Sequence, residues 1–401
     1  MLYLSVLFAS LGGFLFGYQT GIIAGALHFI ANEFSLGRFQ QSNLVSSILM
    51  GALLGSLIAG TLADKYGRKA TIAFSSIIFL IASLLSAFAG SYESLLLFRF
   101  ISGIGVGIVS LICPLYIAEI SPAERRGSLV CVNQFAVTVG ILSSYIFSYM
   151  LSVSGNWRLM LGIGALPALI QIFFLFFVSD TPKSTAPKEK WNTFFEHISK
   201  KVLFIGIALN IFQQITGINV VIYFAPIIFL EAGFDGPSLA LYASISIAII
   251  NVFASVISIW LLDKVGRRLF LLIGMLGMGL SLVFLSLAFL TGMSAIDKIA
   301  PFCLMAYVAF FAIGIGPITA IFIAEVFPLK LRGKAMSIAT FANWGSNYLV
   351  SLTFLTLVGN FGIGKTFSLY ALLSLLAFYF IYLFIRETKG KSLDELETLY
   401  K

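Results

Sequence analysis

The sequence predicts an all-α membrane protein: twelve transmembrane helices arranged as two pseudo-symmetric six-helix halves. Three observations predict it. Of the 401 residues, 59% are hydrophobic and only 10% are charged, with a mean hydropathy of +1.02. Long apolar stretches recur along the whole chain, and a set of charged loop motifs appears twice in the same order. An ordinary globular chain carries about 25% charged residues. With 25 basic and 17 acidic residues set against 40 phenylalanines, a soluble fold would leave large apolar patches exposed.

Each apolar stretch is long enough to cross a hydrocarbon core as a helix, which takes about 20 residues. The predicted spans are 2–29, 43–63, 70–89, 92–118, 127–151, 160–178, 202–230, 237–262, 269–291, 299–324, 335–357 and 366–385. The first lacks a basic n-region and is too long and Gly-rich for a cleavable signal peptide. If both termini are cytosolic, the inner loops and tail hold 20 Lys and Arg and the outer loops four (Arg38, Arg158, Lys298, Lys365). That is a strong positive-inside signal, and it explains the net charge of +8 without any nucleic-acid partner. The absence of any N-x-S/T sequon favours a prokaryotic source, hence a bacterial inner (plasma) membrane. Cys113, Cys131 and Cys303 lie in apolar runs without metal-ligand spacing and read as small core residues.

The halves announce themselves by repetition. Asp64-Lys65-Tyr66-Gly67-Arg68-Lys69 after the second span returns as Asp263-Lys264-Val265-Gly266-Arg267-Arg268 after the eighth. Tyr116-Ile-Ala-Glu119 with Arg126-Gly127 returns as Phe322-Ile-Ala-Glu325 with Arg332-Gly333, and Asp180-Thr181 returns as Glu387-Thr388. The offsets are 199, 206 and 207 residues. The division is therefore 1–178, a short cytosolic linker 179–201, 202–385, and a cytosolic tail 386–401. Parallel repeats of this size suit a transporter whose site lies between the halves near the midplane. Sign order and spacing repeat together, so Asp64, Arg68, Glu119 and Arg126 are expected to form an inner latch with Asp263, Arg267, Glu325 and Arg332. Pairs at a wet rim are individually weak, yet a network broken by rocking halves can tip a conformational equilibrium.

At this point the chain resembles a known group. The two Asp-x-x-Gly-Arg-[Arg/Lys] loops resemble the major facilitator superfamily. Tyr-Ile-Ala-Glu119…Arg126-Gly127, Asn133-Gln134-Phe135, Gln213-Gln214-x-Thr216-Gly217-x-Asn219 and Glu387-Thr-Lys-Gly-Lys-Ser are similar to its sugar porter family, the carriers of glucose and xylose. The likeness runs from the first span to the tail. It implies that the latch residues govern closure of the cytoplasmic side. The family usually has a longer helical linker than 179–201.

Polar side chains within spans are expensive and are expected to face a cavity or one another. Here they are Gln19, Thr20, Arg99, Asn133, Gln134, Thr138, Gln171, Asn210, Gln213, Gln214, Thr216, Asn219, Asn251, Asn343, Ser346 and Asn347. Neutral amides dominate. An amide offers donor and acceptor together, which suits a neutral polyhydroxylated ligand better than an ion. At about 1.5 Å per residue, Gln213 lies about 18 Å, Asn343 about 12–14 Å and Gln134 about 10 Å from the cytosolic ends of their helices. On a straight helix Asn219 stands about 9 Å above Gln213. The alternative is that such amides glue helix to helix, which is the expectation for isolated Gln171 and Asn210. For Gln134, Gln213, Gln214, Asn219, Asn251 and Asn343 the resemblance implies sugar binding. Phe16, Tyr223 and Trp344 are the aromatic candidates to stack on the sugar, while Trp157 and Trp191 read as membrane-belt residues. Ala320 stands where the family often has Trp and Ala312 where many facilitators have Glu. Gly314, Gly316 and Pro317 mark the tenth span as a bending element.

Gln19 and Arg99 form the expected coupling position, since they share a depth. The resemblance implies an Asp in Gly-Tyr-Asp for proton-driven members; here the motif is Gly17-Tyr18-Gln19. An amide has no titratable proton with which to shift its partner Arg between states. Ile141, seven residues after Gln134, likewise matches passive members rather than symporters. The expectation is an alternating-access, facilitated-diffusion uniporter of a hexose-type monosaccharide, acting as a monomer in the lipid bilayer. A proton-coupled sugar symporter is the alternative. A membrane enzyme is disfavoured because His28 and His197 sit at loop edges and no carboxylate pair or metal set lies in the membrane; no cofactor or metal is expected. Gly103-Ile-Gly105-Val-Gly107 sits mid-span, where close helix packing explains it better than a dinucleotide loop. A sugar sensor on a carrier fold is the remote alternative, the tail being short.

Overall fold

The computed structural model describes residues 2–122, 125–179, 194, 198–328, 331–389 and 395. The linker, apart from its ends and Phe194, lies outside the described residues, as do Trp191, His197 and most of the tail. Eleven spans qualify as membrane-crossing by length and apolarity. The twelfth member of the bundle is the 30-residue helix Arg332–Phe361, eleventh in chain order. It falls short on hydropathy because its middle carries Asn343, Ser346 and Asn347.

Unbroken helices form the first to fifth spans: Leu2–Glu33, Arg38–Tyr66, Arg68–Ala87, Tyr92–Ile120 and Arg126–Ser152. The eighth, ninth and twelfth are Pro237–Val265, Arg267–Thr291 and Ile363–Phe384. Three spans are divided. The sixth runs as Trp157–Gly162 and Ala165–Phe174 with a 3₁₀ turn, the seventh as Lys200–Ile215 and Ile218–Glu231, and the tenth as Ile296–Ile313 and Ile315–Val326. The tenth bends at Gly314 as expected; the breaks in the sixth and seventh were not anticipated from the sequence.

The repeated loops fold alike. Gly67 (φ 95°) and Gly266 (φ 105°) each end one helix and start the next, in a left-handed region that favours glycine. Arg68 pairs with Glu119 at 3.2 Å and with Asp64 at 3.2 Å. In the second half, Arg267 pairs with Glu325 at 3.0 Å, which stands in the place of Glu119.

Within the first half the first span packs on the fifth and the second on the fourth; in the second half the ninth packs on the twelfth. The second and fourth spans meet backbone to backbone. A Cβ on Gly103 would lie 2.0 Å from the Ile48 carbonyl oxygen, and one on Gly107 2.1 Å from that of Ala52. The glycine run is thus a packing seam. The halves meet along the second and eleventh spans and along the fifth and eighth.

Candidate functional site

The seventh span builds the site because it breaks. Gly217 takes the left-handed conformation (φ 93°), with the Tyr370 ring 3.1 Å from where a Cβ would stand. The Tyr307 hydroxyl donates to the Thr216 carbonyl at 2.9 Å and holds the turn. The break draws Asn219 back beside Gln214, and its Nδ2 donates to Gln214 Oε1 at 2.6 Å.

From there a continuous chain of amides crosses three spans. Gln214 Nε2 donates to Asn343 Oδ1 at 3.0 Å, and Asn343 Nδ2 donates to Gln213 Oε1 at 2.7 Å and to the Asn210 carbonyl at 3.2 Å. Gln213 Nε2 ends the chain on the carbonyls of Ile315 (3.0 Å) and Gly316 (2.9 Å), just past the bend in the tenth span. Trp344, next to Asn343, meets Phe16 of the other half with ring centroids 5.7 Å apart. One helical turn on, Asn347 Nδ2 reaches the Tyr223 hydroxyl at 3.4 Å. The structure thus brings Gln213, Gln214, Asn219, Asn343, Trp344, Phe16 and Tyr223 into one connected region. Asn251 is buried in the eighth span and Gln134 is exposed on the fifth; among the described residues neither side chain bonds to the amide chain.

Gln19 and Arg99 meet as their shared depth implies, but through the backbone of Gln19 and not its side chain. Arg99, 1% exposed, donates from Nη1 to the backbone carbonyl of Gln19 at 2.9 Å. The Gln19 side chain instead donates to Ser83 Oγ at 2.6 Å. Ser83 escaped sequence reasoning because a lone serine on an apolar span carries no signal.

At the motif-bearing rim, the ion pairs of Arg68 and Arg267 run within their own halves. Arg332 Nε donates to the Phe327 carbonyl at 3.3 Å; the side chains of Arg126 and Asp263 lie outside the described residues. The tail adds a clamp in the second half. Thr388 Oγ1 donates to Glu325 Oε2 at 2.6 Å, and the Glu387 carboxylate accepts the backbone N–H groups of Arg267, Arg268, Thr388 and Lys389 at 2.9–3.0 Å. Burial pushes the Glu387 carboxyl up, but these four donors prevail and hold it below the usual carboxylate range. At the opposite rim the halves touch: Arg38 faces Glu231 at 3.8 Å and Ser152 meets Ser238 at 2.8 Å.

Of the two isolated amides, Gln171 acts as helix glue as expected: its Nε2 donates to the Phe8 carbonyl (2.9 Å) while its Oε1 accepts from Ser76 (2.8 Å). Asn210 corrects the expectation, since its Nδ2 donates one turn back along its own helix, to the Gly206 carbonyl (2.9 Å). Trp157 corrects the belt reading. It is 2% exposed, its Nε1 donates to Glu33 at 2.7 Å, and Arg158 lies 4.2 Å over its ring while also bonding Glu33. His28 is set 3.2 Å from Asn32. Among the described residues no group of three or more His, Cys, Asp or Glu could hold a metal ion.

Comparison with known proteins identifies the family. The family described as "Sugar (and other) transporter" matches residues 5–190 and 183–400. The chain is 37% identical to the D-xylose transporter of Levilactobacillus brevis, over 97% of this chain and 94% of that one. It is 33% identical to the galactose-proton symporter of Escherichia coli K12, over 97% and 92%. The inward-open structure of the xylose transporter XylE from E. coli superposes with a TM-score of 0.87 at 31% identity, covering both chains fully. Its fold, its repeated loops and its full-length likeness to these transporters make the chain a member of the sugar porter family of the major facilitator superfamily, a transporter and not an enzyme.

Proposed function

We propose that this chain is an alternating-access uniporter that moves a pyranose monosaccharide down its gradient, a hexose first and the pentose D-xylose next, across a bacterial plasma membrane with both termini in the cytosol. The observation that carries the uncoupled reading is the pairing at Arg99. Its partner at position 19 presents a backbone carbonyl while the side-chain amide is spent on Ser83. Neither group can take up or release a proton near neutral pH.

The sugar is assigned to the amide chain. Gln213, Gln214, Asn219 and Asn343 each hold both a donor and an acceptor, so they can exchange their mutual bonds for bonds to vicinal hydroxyls at little cost. Gln134 approaches from the first half, Asn251 supports the site, and Trp344, Phe16 and Tyr223 supply apolar faces for the ring. The motif-bearing rim is the cytosolic gate, where Asp64, Arg68, Glu119 and Arg126 face Asp263, Arg267, Glu325 and Arg332 once the halves close. The carrier acts as a monomer in the bilayer.

The relatives favour a second reading. The E. coli galactose carrier is named a proton symporter, and proton coupling through another group would make this chain one too. Uptake of labelled D-glucose, D-galactose and D-xylose into proteoliposomes, with and without an imposed proton gradient, separates the two.

A further inference from the structure

The upper helix of the seventh span carries a proline. Pro226 lies inside Ile218–Glu231 and has no N–H, so the carbonyl four residues earlier, on Ile222, loses its intrahelical donor. Ile222 is 7% exposed, and a buried acceptor left without a donor is costly. The donor that reaches it comes from the other half. Tyr145 of the fifth span, fully buried, gives its hydroxyl proton to the Ile222 carbonyl.

We infer that Tyr145 is the latch of the rim opposite the motif-bearing loops, closing it by satisfying the one carbonyl that Pro226 leaves open. The inference rests on the alternating-access reading above. When the halves part at this rim, water can take over both the hydroxyl and the carbonyl. The bond therefore matters only in the closed state, and losing it favours the open one. Its neighbours on the rim are weaker holds. Arg38 and Glu231, 55% and 41% exposed and 3.8 Å apart, contribute little against solvent screening. The Ser152–Ser238 bond is only partly buried.

Leu241→Cys supplies the reporter. Leu241 is 1% exposed and lies close against Gly25 of the other half, so a thiol there meets a membrane-impermeant maleimide only when this rim opens. The unsubstituted chain supplies the blank for its own three cysteines. Adding Tyr145→Phe should speed labelling about tenfold, the population shift expected from one lost buried hydrogen bond. Pro226→Ala restores an N–H to Ile222, and in that background Tyr145→Phe should change the rate by less than about twofold. No acceleration with Pro226 in place would overturn the inference. So would equal acceleration in both backgrounds, the mark of a general packing effect. Labelling needs neither sugar nor transport, so a wrong substrate or coupling assignment would leave this result standing.

Discussion

Replacing Asn343 with Ala removes the hub of the amide chain. Three bonds go: the one accepted from Gln214 and those donated to Gln213 and to the Asn210 carbonyl. The residue is only partly buried, so water can reach the orphaned groups and the fold loses about 1 kcal/mol rather than three bonds' worth. Sugar binding loses more. A direct bond or two to the ligand disappears, and Gln213 and Gln214 lose the contacts that orient them. Together these amount to about 1–3 kcal/mol, or an affinity about 5- to 150-fold weaker. Asn343→Asp tests the same logic with a side chain of equal size. A carboxylate accepts only, yet here it would face Gln213 Oε1 and the Asn210 carbonyl, so it should bind no better than Ala. The assay is a titration of Trp344 fluorescence with D-glucose and D-xylose, checked by calorimetry. A Kd within about twofold of the unsubstituted protein for either variant would refute the placement of the sugar on this chain.

Gln171→Leu serves as the contrast: it breaks bonds to Phe8 and Ser76 in the first half and should lower thermal stability by about 1–3 kcal/mol while leaving Kd unchanged in the same titration. Gly107→Val drives a side chain into the Ala52 carbonyl 2.1 Å away, and the second and fourth spans should fail to pack, read as loss of monodisperse protein on size-exclusion chromatography. Glu387 is held below its ordinary value of 4.5 by four backbone donors. A group lowered on folding stabilises above its unfolded value and loses that contribution as pH falls through the folded one. Thermal melts of the unsubstituted protein and Glu387→Gln should therefore differ by a constant amount above about pH 5 and draw together as pH falls through the lowered folded value; a difference that stays constant into acid would remove Glu387 from the clamp.

Much of the architecture was legible because membrane helices write themselves in hydropathy. The repeated loops named the charged participants but not their pairing: a latch between the halves was expected, whereas Arg68 pairs with Glu119 and Arg267 with Glu325 inside each half. The site was legible as a set of residue types, since an amide within a lipid-facing bundle needs a reason to be there. Its geometry was not. Gly217 read as one glycine among 36, and only its left-handed backbone brings Asn219 onto Gln214. Gln19 pointed correctly to Arg99, but a sequence cannot say which atom of a residue makes a contact, and the carbonyl rather than the amide does. Trp157 looked like an interfacial anchor because tryptophans at helix ends usually are; a nearby Glu33 and Arg158 pulled it inward. Tyr145 gave no sign, because tyrosines abound here and its partner is a carbonyl.

Transport itself decides between the carrier types. Purified protein in liposomes should equilibrate labelled D-glucose at the same rate and to the same level with or without an imposed proton gradient, and Gln19→Asp, which puts a titratable group on the residue whose carbonyl Arg99 holds, should make uptake gradient-sensitive. Accumulation above equilibrium in the unsubstituted protein, seen only with the gradient, would show that a proton travels by another route and that Gln19 does not set the mode of transport.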